Sequence, residues 1–181
     1  MYGLVNKAIV NLIKQEFGEN VWEQIRQKTN TPKSFLTNES YDDSITYNLV
    51  AATSEIQKIP PDKILFQFGI YWVNVTSKEE YPELMEAGGN SLKEFFFNLP
   101  NFHTRVSLLY PNLSPPEFNV SNSEDNSIIL HYYSDRPGLK NFVLGLIHGL
   151  AQFYKTEIKV EEQLSRDKGD DHESFKIIWI N

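Results

Sequence analysis

The sequence predicts an α+β fold. A mostly helical N-terminal part is followed by a small antiparallel sheet of about four strands, with one helix inserted among them. Three observations carry this. Apolar residues recur at helical spacing through the first two-thirds of the 181 residues. After Pro115-Pro116 the pattern changes to β-rich segments with polar alternation. Gly138–Phe153 then returns to helical spacing before two further β-rich segments. There is no internal repeat and no low-complexity tract.

Each element has a local reason. From Leu4 to Phe17, residues Leu4, Val5, Ala8, Ile9, Leu12 and Ile13 line one helical face, and Gly18 supplies a stop. A second helix covers about Asn20 to Thr29. Residues 30–43 are rich in Thr, Asn, Ser, Pro and Asp and read as a loop. Helix resumes from about Ser44 to Gln57. Pro60-Pro61 breaks it and opens the next, whose stripe is Ile64, Leu65, Phe68, Trp72 and Val75. A short acidic helix, Glu79–Ala87, ends in Gly88-Gly89. Ser91 and Glu94 form a capping box that opens Ser91–Asn98. Pro100 suits the first turn of a further helix reaching about Tyr110, closed by Pro111. Glu117–Val120 is extended, Asp125-Asn126 signals a turn, and Ser127–Ser134 is a strand. Lys155–Ser165 alternates, Asp167–Asp171 is a charged turn, and Ser174–Ile180 is the last strand.

Composition bounds the function. The length fits one domain spanning 1–181. Hydrophobic residues make up 40% and charged residues 23%, an ordinary globular balance. The net charge of −7 repels polyphosphate and argues against nucleic acid as a partner. The absence of cysteine excludes disulfides, thiolate nucleophiles, Cys-ligated zinc and iron–sulfur clusters. The most apolar window, Phe142–Phe153, is too short for the ~20 residues of a membrane span, and no signal-peptide core opens the chain. A cytoplasmic location is expected. Phe 12, Tyr 9 and Trp 3 make up 13% of the chain, which fits either a well-filled core or a pocket for a flat apolar ligand.

Without cysteine, the four histidines carry most of the remaining chemistry. His172 lies in Gly169-Asp170-Asp171-His172-Glu173 and reads as a residue of a solvated turn. His148, in an apolar helix, reads as half-buried and satisfied. His131 shares a strand face with Ile129 and Tyr133. His103 falls on a stripe with Leu99, Val106 and Tyr110. An imidazole there either bonds a nearby carbonyl or faces a haem iron, with apolar neighbours against the porphyrin. Near the end of the β-rich segment, Tyr132, Ser134 and Arg136 alternate onto one face and present a phenol, a hydroxyl and a guanidinium. They suit one or two carboxylates, or they are ordinary polar residues at a strand end. No HExxH, GxSxG, P-loop or GxGxxG pattern occurs, and no catalytic set is visible.

The whole chain resembles the haem–nitric oxide/oxygen binding (H-NOX) domain, related to the haem domain of soluble guanylate cyclase. The residues that carry the resemblance begin with Met1-Tyr2-Gly3-Leu4-Val5-Asn6, Val21-Trp22-Glu23, Tyr41-Asp42-Asp43, Thr46-Tyr47 and Leu49-Val50-Ala51-Ala52. They continue with Phe68-Gly69, His103, Tyr110-Pro111, Pro115-Pro116 and Leu130 to Arg136, and end with Gly138-Leu139, Gly145-Leu146-Ile147 and Asp171-His172. The resemblance implies a b-type, ferrous haem with His103 as its proximal ligand. It implies that Tyr132, Ser134 and Arg136 bind the propionates, that Pro116 presses on the porphyrin, and that Val5 and Leu146 pack beside it. The distal pocket would include Val5, Trp72 and Phe142. Residues 1–60 would form a distal helical subdomain and 61–181 a proximal part carrying the haem helix and the sheet.

Oxygen-binding members of the family place a tyrosine where this chain has Phe142. The resemblance therefore implies a sensor, not an enzyme, that binds NO and CO and excludes oxygen. It would signal to an effector in trans, a histidine kinase or a cyclic-di-GMP enzyme, when NO weakens the link to His103 and the haem relaxes against Pro116. The competing readings are an oxygen sensor with Trp72 as donor, a haem enzyme, and a haem-free adaptor in which His103 is a core residue.

Overall fold

The computed structural model describes residues 1–109, 115–124 and 126–180. The expected helices open the chain. They are α1 (Gly3–Phe17), α2 (Glu19–Thr29) and α3 (Asp43–Gln57). The Asp42 side chain caps α3 by accepting from the Ser44 N–H at 2.8 Å. Helix α4 (Pro61–Tyr71) starts on its proline and runs without a break into a π turn, Trp72–Ser77, and a short helix α5 (Lys78–Glu80). The sequence predicts one acidic helix after this point, but Tyr81 separates α5 from α6 (Pro82–Glu86).

Helix α7 (Leu92–Leu109) corrects the expectation of two helices meeting at Pro100. Proline removes one backbone donor, but the turns on either side keep theirs. Phe95, Phe96 and Leu99 are buried on this helix, and burial of each contributes roughly 1.5–3 kcal/mol, enough to hold the helix through its weak point. The capping pair forms in modified register. Ser91 Oγ accepts from the Glu94 N–H at 3.2 Å, while the Glu94 carboxylate reaches the Asn90 N–H at 2.8 Å. The expected helix end at Tyr110-Pro111 and the turn residue Asp125 lie outside the described residues.

The sheet has the order β1-β2-β4-β3, antiparallel throughout. Its strands are β1 (Glu117–Glu124), β2 (Ser127–Tyr133), β3 (Ile158–Leu164) and β4 (Glu173–Trp179). β1 runs beyond the expected Val120. β3 begins later than expected because Lys155 adopts φ 51° just after α8 (Lys140–Phe153). The charged turn is a 3-10 turn, Arg166–Lys168, ended by Gly169 at φ 96°, a conformation that suits glycine. β3 is an edge strand, and Lys159 pairs with Glu161 on it at 2.7 Å.

Two apolar cores form. One gathers Ile9, Ile13, Ile25, Leu49 and Phe68 from α1 to α4. The other gathers Phe96, Ile128, Leu130, Ile147, Phe175 and Ile177 from α7, the sheet and α8. Helices α4 and α8 meet where neither has a side chain. A Cβ on Gly69 would lie 2.2 Å from the Phe142 carbonyl oxygen, and one on Gly145 would lie 2.1 Å from that of Phe66. Among the described residues no helix is long and apolar enough to cross a membrane.

Candidate functional site

A cavity of about 230 Å³ opens between the two cores. Every site residue expected from the sequence lines it: Val5, Trp72, His103, Pro116, Tyr132, Ser134, Arg136, Phe142 and Leu146.

One wall is built from helices. Val5 comes from α1, Trp72 from the start of the π turn, and Phe142 and Leu146 from α8. Aromatic rings fix its surface. Phe68 and Phe142 lie 4.9 Å apart, and Trp72 meets both edge-on, at 6.2 and 6.4 Å. Phe142 offers no hydrogen-bond donor.

The facing wall comes from α7, β1 and β2. The Nδ1–H of His103 donates to the Leu99 carbonyl one helical turn back, at 3.1 Å. That bond fixes the tautomer and leaves the lone pair on Nε2. Burial pushes the imidazole below the ordinary histidine value, and the Leu99 carbonyl only partly opposes it. His103 is therefore a neutral imidazole at pH 7. Phe118 of β1 packs on its ring at 5.1 Å and also against Tyr132, at 5.2 Å. Phe118 belongs to this wall, and nothing in the sequence singles it out beyond its place in a short extended segment.

The three polar residues are brought together, but not by strand alternation alone. β2 ends at Tyr133, so Ser134 and Arg136 sit in the turn beyond it. Ser134 Oγ accepts from the Arg136 N–H at 3.1 Å and so shapes that turn. Burial raises the Tyr132 phenol above its ordinary value, with a hydrogen bond to Ser134 opposing, so the phenol stays a donor. The Arg136 Nε donates to Asp43 Oδ2 at 2.8 Å, and Asp43 also takes the N-terminal amine of Met1. Burial acts to raise the Asp43 carboxyl, and the bonds from the amine and Arg136 outweigh it and hold it below the usual range.

This arrangement has a specific chemistry. Among the described residues no group of three or more His, Asp or Glu could hold a metal ion. A lone imidazole in an apolar wall suits a metal that brings its own equatorial ligands, as haem iron does. Phenol, hydroxyl and guanidinium at the same cavity suit the carboxylates of such a group. The donor set therefore fits haem.

The other histidines lie elsewhere. His148 is half-buried with Phe66 edge-on at 5.3 Å. His172 corrects the expectation of a solvated turn residue. It is only 7% exposed, is stacked on Tyr133 and is hydrogen-bonded to His131. Its acidic neighbours mask this in the sequence, because burial there depends on β2 lying alongside.

Comparison with known proteins agrees with the donor set. The family model described as Haem-NO-binding matches residues 2–162. Soluble guanylate cyclase gcy-34 of Caenorhabditis elegans is 30% identical over 84% of this chain and 23% of its own length. Soluble guanylate cyclase gcy-33 of the same organism is 29% identical over 93% of this chain and 18% of its own. The chain thus spans about a quarter or less of these curated relatives. An H-NOX protein from S. oneidensis, solved in the Fe(II)NO ligation state, superposes with a TM-score of 0.91, 22% identity and full coverage of both chains. A mutant of T. Tengcongensis H-NOX superposes with 0.89 and 22% identity, covering all of this chain and 98% of that one. Both structures share this fold.

Proposed function

The chain belongs to the haem-NO-binding family, and from that premise we propose that it senses NO at a ferrous haem b held between its two cores. The observation that carries the proposal is that His103 and the Tyr132–Ser134–Arg136 group line one cavity whose remaining surface is mostly apolar. His103 Nε2 would hold the iron, the three polar residues would hold the propionates, and Pro116, Leu146 and Val5 would pack against the ring. A haem held there would supply an iron able to take a diatomic gas, with Trp72 and Phe142 lining the same cavity.

The rest follows from the chain's own residues. His103 is the link from α7 to the cofactor. Were that link loosened when NO binds, α7 and Phe118 would be free to shift against Pro116, while Tyr132, Ser134 and Arg136 would keep their hold. Such a shift transmits a signal only because the ligand favours one arrangement over the other. Phe142 gives bound oxygen no hydrogen bond, so the site favours NO and CO. The distal residues Phe142 and Trp72 include no acid–base pair, which supports a sensor over an enzyme. The effector in this reading is a separate protein, a histidine kinase or a cyclic-di-GMP enzyme, and the compartment is the cytoplasm.

One observation favours a second reading, oxygen sensing. Trp72 lines the cavity, and its indole N–H has no hydrogen-bond partner among the described residues. Absorption spectra of the haem-loaded protein, taken reduced under argon, in air and with NO, separate the two. A five-coordinate ferrous spectrum unchanged by brief air and shifted by NO supports the NO sensor. A stable oxy spectrum moves the assignment to oxygen. Folded protein that takes up no haem leaves the adaptor reading.

A further inference from the structure

The outer face of the sheet carries a second set of histidines, turned away from the cavity. Tyr132 lines the cavity, so its strand neighbours His131 and Tyr133 point to the opposite side. There a chain of three hydrogen bonds crosses the sheet. Ser121 Oγ lies 3.0 Å from His131 Nε2, His131 Nδ1 lies 2.9 Å from His172 Nε2, and His172 Nδ1 lies 2.6 Å from Asp171 Oδ1. It runs from exposed Ser121 on β1, through half-buried His131 on β2 and buried His172, to Asp171, whose side chain is 84% exposed.

The donor roles are fixed from one end. An ionised Asp171 only accepts, so His172 donates from Nδ1. Neutral His172 then accepts at Nε2, His131 donates from Nδ1, and Ser121 donates to His131 Nε2. Suppose one proton is added to His172 Nε2. His172 must now donate at both ends, so His131 accepts at Nδ1, carries its own proton on Nε2 and donates to Ser121. All three bonds survive and two of them reverse. A second proton would set two N–H groups against each other across 2.9 Å and break the pair.

We infer that His131 and His172 form a shared-proton site that takes up one proton at a time and, on doing so, reverses the hydrogen bonds tying edge strand β1 to β2 and β4. His172 lies between the Asp171 carboxylate and the face of Tyr133, on which it stacks at 4.3 Å and 19°. Burial and then the charge of His172 hold His131 below the ordinary histidine value, consistent with an opposed second step. The His172 hydrogen bond holds Asp171 below the usual carboxylate range, so it stays ionised while the pair titrates.

The surrounding charges are otherwise engaged. On the same face β1 brings Glu117, which accepts from Asn119, and β4 brings Lys176, paired with Glu124 at 3.3 Å. Asp170, in the turn before β4, accepts from the Ser165 N–H, and Arg166 donates to the Ser134 carbonyl. His131 lies opposite Asn119, one register position from the Phe118–Tyr132 pair, whose Phe118 packs on His103. Proton uptake therefore acts on the same two strands that form the cavity wall.

Long-range proton–nitrogen NMR of protein labelled with nitrogen-15 histidine tests this across pH 5–9. At high pH both rings carry the proton on Nδ1. On acidification His131 switches to the Nε2–H tautomer at the same midpoint at which His172 becomes an imidazolium. The Asp171→Asn variant, altered at an exposed side chain, binds the shared proton roughly tenfold more weakly, read as a midpoint moved to lower pH. Independent midpoints for the two rings would overturn the inference, as would His131 already in the Nε2–H form at high pH. Ring shifts that respond to added zinc at constant pH would also overturn it, making the pair a metal site.

Discussion

The two walls of the cavity are made of different materials. The helical wall from α1, α4, the π turn and α8 offers rings and aliphatic groups: Val5, Phe68, Trp72, Phe142 and Leu146. The opposite wall from α7, β1 and β2 offers directed polar atoms held by named partners, His103 by Leu99, Arg136 by Asp43 and Ser134. The first can select only by what it withholds and by the space it leaves. The second can grip. Where a cavity divides this way, affinity for a cofactor and choice of its small ligand are set by separate residues and can change separately.

His103→Gly attacks the gripping wall at its centre and has the largest expected effect. Haem retention falls by about 100-fold or more, since even residues that merely support a metal ligand are worth 10–100-fold. Titration of haem into the apo variant measures this. Added imidazole restores a haem spectrum, and in that state the protein acts on its effector as the NO-bound form does. If it acts instead like the unliganded form, release of His103 is not the switch.

Phe142→Tyr places a donor in the withholding wall and leaves the grip intact. A hydrogen bond to partly charged bound oxygen is worth about 1–3 kcal/mol, or roughly 5–150-fold in oxygen affinity. Oxygen titration of the ferrous variant checks it. Unchanged oxygen binding would mean that the withholding wall does not set the choice.

Gly145→Ala strikes the seam between α4 and α8. Its Cβ would meet the Phe66 carbonyl oxygen at 2.1 Å, so backbone must move. Overpacking of this kind costs about 1–3 kcal/mol, which lowers Tm by about 2–12 °C in a domain of this size. Thermal unfolding followed by circular dichroism reads it.

Asp43→Asn tests the outer edge of the gripping wall. The carboxyl is held below the usual range in the folded state, so the unfolded chain binds the proton first as pH falls. Its contribution is present above the ordinary carboxylate range and is lost as pH falls through the lower folded value. The side chain is 37% exposed, and solvent screening reduces the effect to about 0.5–1 kcal/mol at pH 7. Denaturant unfolding of the variant should show that loss at pH 7, with the difference from wild type shrinking in acid.

Most of the fold was legible because apolar periodicity reports burial directly, and both the helices and the β-rich third obey it. The exceptions are places where distant packing overrules a local rule. Pro100 looks like a helix start, yet Phe95, Phe96 and Leu99 hold α7 together across it. Trp72 looks like one more residue of α4, and nothing local announces the π turn it opens. All the cavity residues expected from resemblance lie at the cavity, but the pairing of Asp43 with Arg136 and the N-terminus spans most of the chain. No short window contains it. The His131–His172 contact was hidden for the same reason, since only the register of β2 and β4 joins them.

The charges on β3 bear on how the protein behaves when concentrated. An edge strand presents unpaired N–H and C=O groups that a second chain can adopt as a template. Here the strand reads Ile-Lys-Val-Glu-Glu-Gln-Leu, with Lys159 and Glu161 on one face and Glu162 bonded to Lys168. A copy laid against it in the antiparallel register centred on Glu161 would bring acidic side chains face to face. In that register the edge is a poor template for a second copy of the chain.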